Sequence, residues 1–154
     1  MTKSRDKGNR FEREAVHELE EFANARRVPG SGSIGTNLGL STLTGDVHLK
    51  YPWFSKSFKC ECKTGYGTPN QMQFKREWVT KVREEANANN NYPAVLLKFS
   101  GVTFGDLGSA KQICFSFDVW NKLMSEVEDL YEDNIKLRTR LLELEKQNAQ
   151  NQKD

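Results

Sequence analysis

Three ionisable residues, Asp46, Glu61 and Lys63, carry the clearest chemical signal in the sequence. Glu61 and Lys63 lie two residues apart in the segment SFKCECK, residues 57–63, which alternates charged and apolar side chains as a β-strand does. Asp46 lies in a second short segment of this kind, residues 45–50. If the two strands are adjacent, they bring two carboxylates and one amine to the same place.

This set of groups suits a hard divalent cation. Mg²⁺ prefers oxygen ligands, keeps several of its waters and is usually held by only one or two protein carboxylates. A lysine beside such a site could orient a water molecule or help to deprotonate it. An isolated E-x-K motif is common on solvated strand faces, but the acid at Asp46 in a neighbouring strand favours a metal site over that interpretation.

Four segments, in their order along the chain, resemble the PD-(D/E)xK nuclease superfamily and, within it, the archaeal-type Holliday junction resolvases. They span roughly residues 7 to 100 and are KGNRFERE, RVPGSG, GD followed by E-C-K, and PAVLLKF. The resemblance implies an α/β, restriction-endonuclease-like core, that is, a small mixed β-sheet flanked by helices. It also implies Mg²⁺-dependent cleavage of branched DNA in recombination and repair, with Mn²⁺ able to replace Mg²⁺.

The resemblance further implies which residues form the site. Lys63 would position the attacking water. Three acids would hold the metal ion, namely Glu12, Asp46 and Glu61. Four residues would contact the DNA backbone, namely Arg13, Arg27, Ser31 and Lys98. From the residues alone, Glu12 could instead complement the helix dipole, and Lys98 could be an ordinary edge lysine.

The sequence departs from the family between Ser31 and Asp46, where the connecting segment is unusually long and rich in glycine. Ser33 fits the phosphate-contacting position as well as Ser31 does. Glycine-rich backbone beside Arg and Ser can bring N–H groups close to phosphate oxygens. We therefore expect a loop that contacts a DNA strand or forms a flexible lid.

Hydrophobic periodicity predicts the elements that position these residues. The first helix is predicted over residues 9 to about 25 and the second over Gln71 to about Ala88. Two near-continuously apolar segments, 93–99 and 112–117, predict central strands covered on both faces. The apolar residues predicted to face the sheet are Phe11, Ala15, Val16, Leu19, Phe22 and Ala23 in the first helix and Met72, Phe74, Trp78 and Val82 in the second.

Composition limits the chain to one hydrophobic core with an appendage, since it has 154 residues of which 36% are hydrophobic. Residues 1–116 carry 17 Lys and Arg against 12 Asp and Glu, whereas residues 117–154 carry 6 against 9. A basic body fits contact with phosphates. We expect a nuclease core over residues 1–117 and a separate helical region over residues 118–154.

The three cysteines are odd in number, and their C-x-C spacing lacks the second ligand pair of a zinc site. They are expected to be reduced thiols in the core. The segment MTKSRDKGNR is polar and no apolar run is long enough to span a membrane, so we expect neither a signal peptide nor a membrane span. We therefore expect a cytoplasmic, nucleoid-associated protein without a membrane partner.

From Asp118 the sequence predicts one long helix with a heptad repeat, which is typical of a coiled coil. Asn134 at a core position and leucine at every d position favour two parallel strands, and Asp133 would face Arg138 of a second copy. Positions a are Trp120, Val127, Asn134 and Leu141, and positions d are Leu123, Leu130, Leu137 and Leu144. The pattern predicts a homodimer. The resemblance places the family's dimer interface in the globular body, so the coiled coil would replace it, add to it or bridge two dimers.

Two other functions remain open on the sequence. One is a different PD-(D/E)xK endonuclease that acts on duplex or forked DNA. The other is a non-catalytic DNA-binding adaptor with a coiled coil, whose acids are structural. The complete set of Asp46, Glu61 and Lys63 favours an enzyme, because an adaptor has no need to keep it.

Overall fold

A computed structural model describes residues 3–28, 45–68, 71–100 and 111–151, with side chains from Asp6 onward. It divides into two compact units, Met1–Val119 and Trp120–Asp154, and each is described by itself. The helices and strands, numbered here in chain order, are α1 (Lys3–Leu19), β1 (Asn24–Arg27), β2 (Val47–Lys50), β3 (Phe58–Thr64), β4 (Gly67–Thr68), β5 (Gln71–Met72), α2 (Arg76–Asn87), β6 (Tyr92–Lys98), β7 (Lys111–Cys114) and α3 (Phe117–Asn151).

The first unit contains a five-stranded sheet in the order β1-β2-β3-β6-β7. Strands β3 and β6 are parallel, whereas the other neighbouring pairs are antiparallel. β4 and β5 form a separate antiparallel hairpin. The prediction of a small mixed sheet flanked by helices, continued by a long C-terminal helix, is confirmed.

The sheet is mixed because α2 lies between β3 and β6 in the chain, and a crossover of this kind is what parallel strands require. α2 contacts both strands. Its Trp78 and Val82 are buried in a cluster with Val95 and Leu97 of β6. Since Glu61 pairs with Val95 and Lys63 with Leu97, both catalytic candidates lie on the face of the sheet that α2 covers.

α1 contacts β1, β2 and β3 and buries Phe11 and Ala15. It begins and ends earlier than predicted, because the chain turns after Leu19 and then pairs with β2 as strand β1. The prediction that Phe22 faces the sheet is wrong, since this side chain follows the helix and is 59% exposed. Pairing between β1 and β2 therefore outweighs the helical periodicity at the end of α1.

The second helix also differs from its prediction, which began at Gln71. Gln71 and Met72 form β5, and the helix begins at Arg76. Trp78 is buried as predicted, but Phe74 precedes the helix and is 50% exposed. Gln71 and Met72, which the sequence predicts as the first turn of this helix, belong instead to the β4–β5 hairpin. Helical periodicity gives no sign of that pairing.

Strand β6 is central and strongly buried, as predicted. Strand β7 is shorter than predicted and lies at the edge of the sheet, with Gln112 and Ile113 exposed, so the prediction of a second central strand is wrong. All three cysteines are free thiols. In the part of the chain that the structure describes, no helix is long and apolar enough to cross a membrane.

Candidate active site

Asp46 is held in place by backbone hydrogen bonds on two sides. It lies directly before β2, and its N–H donates to the Cys60 carbonyl at 2.8 Å. Its carboxylate oxygen Oδ2 accepts from the N–H of Cys62, also at 2.8 Å. Because Val47 pairs with Cys60, Asp46 occupies the neighbouring position of the ladder, beside Glu61. The structure thus places the two predicted acids next to each other.

Gly45 is required for this arrangement. Its φ is +78°, a conformation that L side chains rarely adopt. A Cβ atom at this position would lie 2.7 Å from Cγ of Lys59, whose side chain is fully buried. The GD pair in the sequence therefore has a physical basis, since only glycine fits beside the buried lysine and turns the chain into Asp46.

Glu61 lies in the middle of β3 and is only 2% exposed. Lys63 donates a short hydrogen bond to its Oε1. Lys81 of α2 lies 3.2 Å from Oε1 and 3.0 Å from Oε2. The charge of this buried carboxylate is thus balanced by two lysines, one from its own strand and one from the crossover helix.

The surroundings make Asp46 an unusual acid. Burial, the negative charge of Glu61 and, more weakly, that of Glu12 raise the pKa of Asp46 from 3.8 to about 6, against the opposing effects of the Cys62 N–H and Lys63. Burial lowers the pKa of Lys81, but the carboxylates of Glu61, Glu85 and Asp46 together outweigh burial, so this pKa lies above its ordinary value. A site of this kind favours an additional positive charge.

Glu12 does not stand alone beside Asp46. Its Oε2 accepts hydrogen bonds from Nε and Nη2 of Arg27, at 3.0 and 2.5 Å. Nη2 of Arg27 also donates to the side-chain oxygen of Asn9 at 3.2 Å. Two predicted site residues, the acid Glu12 of α1 and the DNA contact Arg27 of β1, therefore form one ion pair between these two elements.

The donor set fits Mg²⁺. Among the described residues there is no group of three or more His, Cys, Asp or Glu side chains placed to hold a metal ion. Mg²⁺ does not require such a group, because one or two carboxylates and several waters suffice. Asp46 and Glu61 are close enough for the charge of Glu61 to raise the pKa of Asp46, and a divalent cation relieves that repulsion. Glu12 stays a predicted third ligand.

Three predicted DNA contacts remain, namely Lys98, Arg13 and Ser31. Lys98, at the end of β6, makes a short ion pair with Glu14 of α1. Arg13 is exposed on α1. Ser31 and Ser33, together with the whole glycine-rich segment, lie outside the described residues. The predicted roles of these residues stay predictions.

Lys81 is absent from the site residues that the sequence predicts. The available signal was weak: Lys81 follows Trp78 by three residues and precedes Val82, so it borders the buried stripe of α2. Lys59 is also absent from that prediction, and its Nζ donates to the Glu85 carbonyl at 3.3 Å. Burial lowers the pKa of Lys59, an effect that the Glu85 carboxylate partly offsets.

An acid beside β2 and an E-x-K motif on the adjacent β3, within a mixed sheet flanked by helices, define the class of PD-(D/E)xK nucleases. Residues 3–150 match the family model described as "Phage putative PDDEXK endonuclease", and the chain belongs to this family. The predicted superfamily is therefore confirmed, and the chain is a nuclease of this class.

Among solved structures, the chain is similar to the 1.6 Å structure of Archaeoglobus fulgidus Hjc, a Holliday junction resolvase from an archaeal hyperthermophile. The two share 20% sequence identity with a TM-score of 0.48, over 68% of this chain and 72% of that one. The comparison with curated proteins found no match. The family assignment rests on the family model alone.

Proposed function

We propose that this nuclease is a Mg²⁺-dependent, structure-selective endodeoxyribonuclease that resolves Holliday junctions by paired hydrolytic incisions in the cytoplasm. The observation that carries the chemistry is the pair of adjacent acids, half-buried Asp46 and buried Glu61, with Lys63 hydrogen-bonded to Glu61. The preference for junctions is supported by the order of the four sequence segments and by the symmetry that the C-terminal helix offers.

In this proposal Asp46 and Glu61 hold Mg²⁺, with Glu12 as the third ligand. The ion supplies charge neutralisation at the scissile phosphate and its leaving oxygen. Lys63 holds the attacking water through its ammonium group, which Glu61 keeps in position beside the phosphate. In-line hydrolysis then leaves 5′-phosphate ends. A manganese ion takes the same oxygen ligands and is expected to replace magnesium.

The DNA backbone would be held by Arg13, Arg27, Ser31 and Lys98. Arg27 is fixed by Glu12 and Asn9, so its guanidinium is oriented before DNA arrives. A preorganised guanidinium contacts phosphate well, since its planar set of donors loses little freedom on binding. In the absence of DNA, Lys98 forms an ion pair with the Glu14 carboxylate. On binding DNA it would exchange this carboxylate for a phosphate.

Paired incision needs two active sites related by a two-fold axis, which a C₂ dimer supplies. On α3 the side chains of the heptad positions Val127, Leu130, Leu137 and Leu144 are exposed in the single chain. Such an apolar stripe is typical of a helix that pairs with another helix. We therefore include a homodimer formed through α3 in the proposal.

The decisive experiment compares cleavage of a four-way junction, a Y-fork and a linear duplex of matched sequence, with and without Mg²⁺. We expect the junction to be cut fastest, at paired positions, and only with the metal. Glu61→Gln should abolish cleavage and leave junction binding in EDTA nearly unchanged, because it removes one charge and little surface. Glu84→Gln, an exposed change on α2, is the matched control.

Two results would contradict the proposal separately. Cleavage by Glu61→Gln at a rate near that of the wild type would remove the acidic pair from the chemistry. Equal rates on the junction and the linear duplex would instead leave a metal-dependent nuclease without selectivity for branched DNA.

A further inference from the structure

An aromatic cluster lies directly beside the proposed catalytic lysine. Its base is Trp78 of α2, which is buried, and Nζ of Lys63 lies 5.8 Å from the centre of its indole ring. The rings of Tyr66 and Phe74 pack against Trp78 with centroid distances of 4.7 and 6.1 Å. Both contacts are edge-to-face. The cluster is thus continuous with the active site.

The β4–β5 hairpin fixes the two outer rings. Tyr66 directly precedes β4 and Phe74 follows β5, and the N–H of Gln73 donates to the Tyr66 carbonyl at 2.7 Å. Gly67 keeps the two strands close, because a Cβ atom at this position would lie 2.0 Å from the Gln71 carbonyl oxygen. The two rings therefore flank this hairpin on either side, next to the site.

Although Trp78 is buried, the outer rings present aromatic surface to solvent: Tyr66 is 38% exposed and Phe74 is 50% exposed. Cationic groups surround this surface. Nζ of Lys75 lies 5.6 Å from the centre of the Tyr66 ring. Lys63 and Lys81 are each paired with the Glu61 carboxylate. Exposed rings among lysines are the combination with which proteins bind unstacked nucleobases along a phosphate backbone.

We propose that Tyr66 and Phe74 form a stacking site for a nucleobase that has lost its stacking partner at a DNA branch point. A continuous duplex keeps every internal base stacked, whereas a branch point or a single strand exposes base faces. Stacking on an aromatic side chain tolerates any sequence, because every base has a π face. The site would make the neighbouring acidic pair act on branched DNA in preference to linear duplex.

This inference rests on the proposed function, and binding measured in EDTA tests it without cleavage. The probes are a four-way junction carrying 2-aminopurine at the branch point, a single-stranded oligonucleotide of the same sequence and the matched linear duplex. The test protein is the double variant Tyr66→Leu with Phe74→Leu, which keeps apolar volume and removes both rings. Phe22→Leu, at an exposed phenylalanine remote in sequence, is the control.

We expect the double variant to lose about tenfold in affinity for the junction and the single strand and less than twofold for the linear duplex. Its fluorescence change with 2-aminopurine should disappear, and the control should behave as the wild type. The variant that retains rings, Tyr66→Phe with Phe74→Tyr, should keep the junction affinity. If circular dichroism shows that the double variant is unfolded, Phe74→Leu alone is measured, with a loss of at least threefold expected.

Unchanged affinity of the folded variant for the single strand would overturn the inference. So would an equal loss on all three DNAs, since that indicates a general effect on the fold or the charge. A wild-type protein that cuts junction and duplex at the same rate would contradict the proposed function, and the single-strand comparison would still report whether the rings bind a base.

Discussion

Replacing Asp46 with asparagine should make the metal-free protein more stable at neutral pH while abolishing cleavage. Burial and the negative charge of Glu61 both disfavour the ionised form of Asp46, so its pKa is raised from 3.8 to about 6. Asparagine removes that charge. Its side-chain oxygen can still accept the hydrogen bond from the Cys62 N–H, which the Asp46 carboxylate accepts at 2.8 Å.

The sign follows from proton linkage. A carboxyl group whose pKa is higher in the folded state binds its proton more tightly there than in the unfolded chain. Its charge therefore costs no stability below pH 3.8, an increasing amount between pH 3.8 and about 6, and the full amount above that range. A rise of about 2 in pKa corresponds to about 3 kcal/mol at most, because each pKa unit is worth about 1.4 kcal/mol.

Asp46→Asn should thus raise the free energy of unfolding at pH 8 in EDTA by roughly 1 to 3 kcal/mol, which is about 3 to 10 °C in Tm for a chain of this size. The gain should shrink as the pH falls from 6 towards 4. Thermal unfolding followed by circular dichroism at several pH values measures this. Asp129→Asn, at an exposed position of α3, is the chemically matched control and should change little.

Magnesium should reverse the order of stability. A metal ion that binds only the folded state adds about 4 kcal/mol when its concentration is about a thousand times the dissociation constant, which exceeds the gain expected for Asp46→Asn, and this stabilisation belongs to the wild type. If Asp46→Asn is less stable than the wild type at pH 8 in EDTA, or if the difference between the two proteins does not depend on pH, the charge of Asp46 does not oppose folding.

Three further predictions concern the backbone, the DNA contacts and α3. Gly45→Ala should lower the free energy of unfolding by about 1 to 3 kcal/mol, because its φ is +78° and a buried lysine occupies the space of a Cβ; Gly8→Ala, which meets nothing within 4 Å, is the control in chemical denaturation. Arg27→Ala and Lys98→Ala should each reduce the slope of log K against log[salt] for junction binding by about 0.9. An unchanged slope in both would remove these residues from the interface. Deleting residues 127–154 should lower the number of subunits per particle found by sedimentation velocity, and an unchanged number would exclude this part of α3 as the dimer contact.

The placement of Asp46 beside Glu61 and Lys63 could be predicted from the sequence because it depends on local alternation. The period of two residues in a strand places Glu61 and Lys63 on one face, whatever surrounds the strand. The central position of β6 could be predicted as well, because residues 93–99 form a near-continuous apolar run. What periodicity could not indicate is the covering helix. Lys81 reaches Glu61 only because the crossover places α2 over β3.

The errors have a common cause, which is pairing between distant segments. Phe22 and Phe74 continue helical patterns of apolar residues, but the backbone near them forms β1 and β5 instead. Each of these strands is stabilised by a partner that local periodicity does not identify. The two rings are therefore exposed, and the Phe74 ring lies next to the candidate active site. The failure of the pattern there coincides with the surface that we propose binds a base.

Glu61 connects the stability of the fold with its proposed chemistry. In the metal-free protein two lysines neutralise its carboxylate, and they differ in their freedom to leave. Lys63 is mostly buried and lies on the same strand two residues away, whereas the Lys81 side chain is 50% exposed and reaches the site from α2. A cation that enters beside Asp46 competes with the lysine that can return to solvent at the lower cost. Lys81 is therefore the group that would yield the Glu61 oxygens, and its released ammonium would remain near the phosphate and the stacked base. The helix α2, which connects the parallel strands β3 and β6, therefore also supplies the Lys81 charge that offsets the repulsion between Asp46 and Glu61 when no metal is bound.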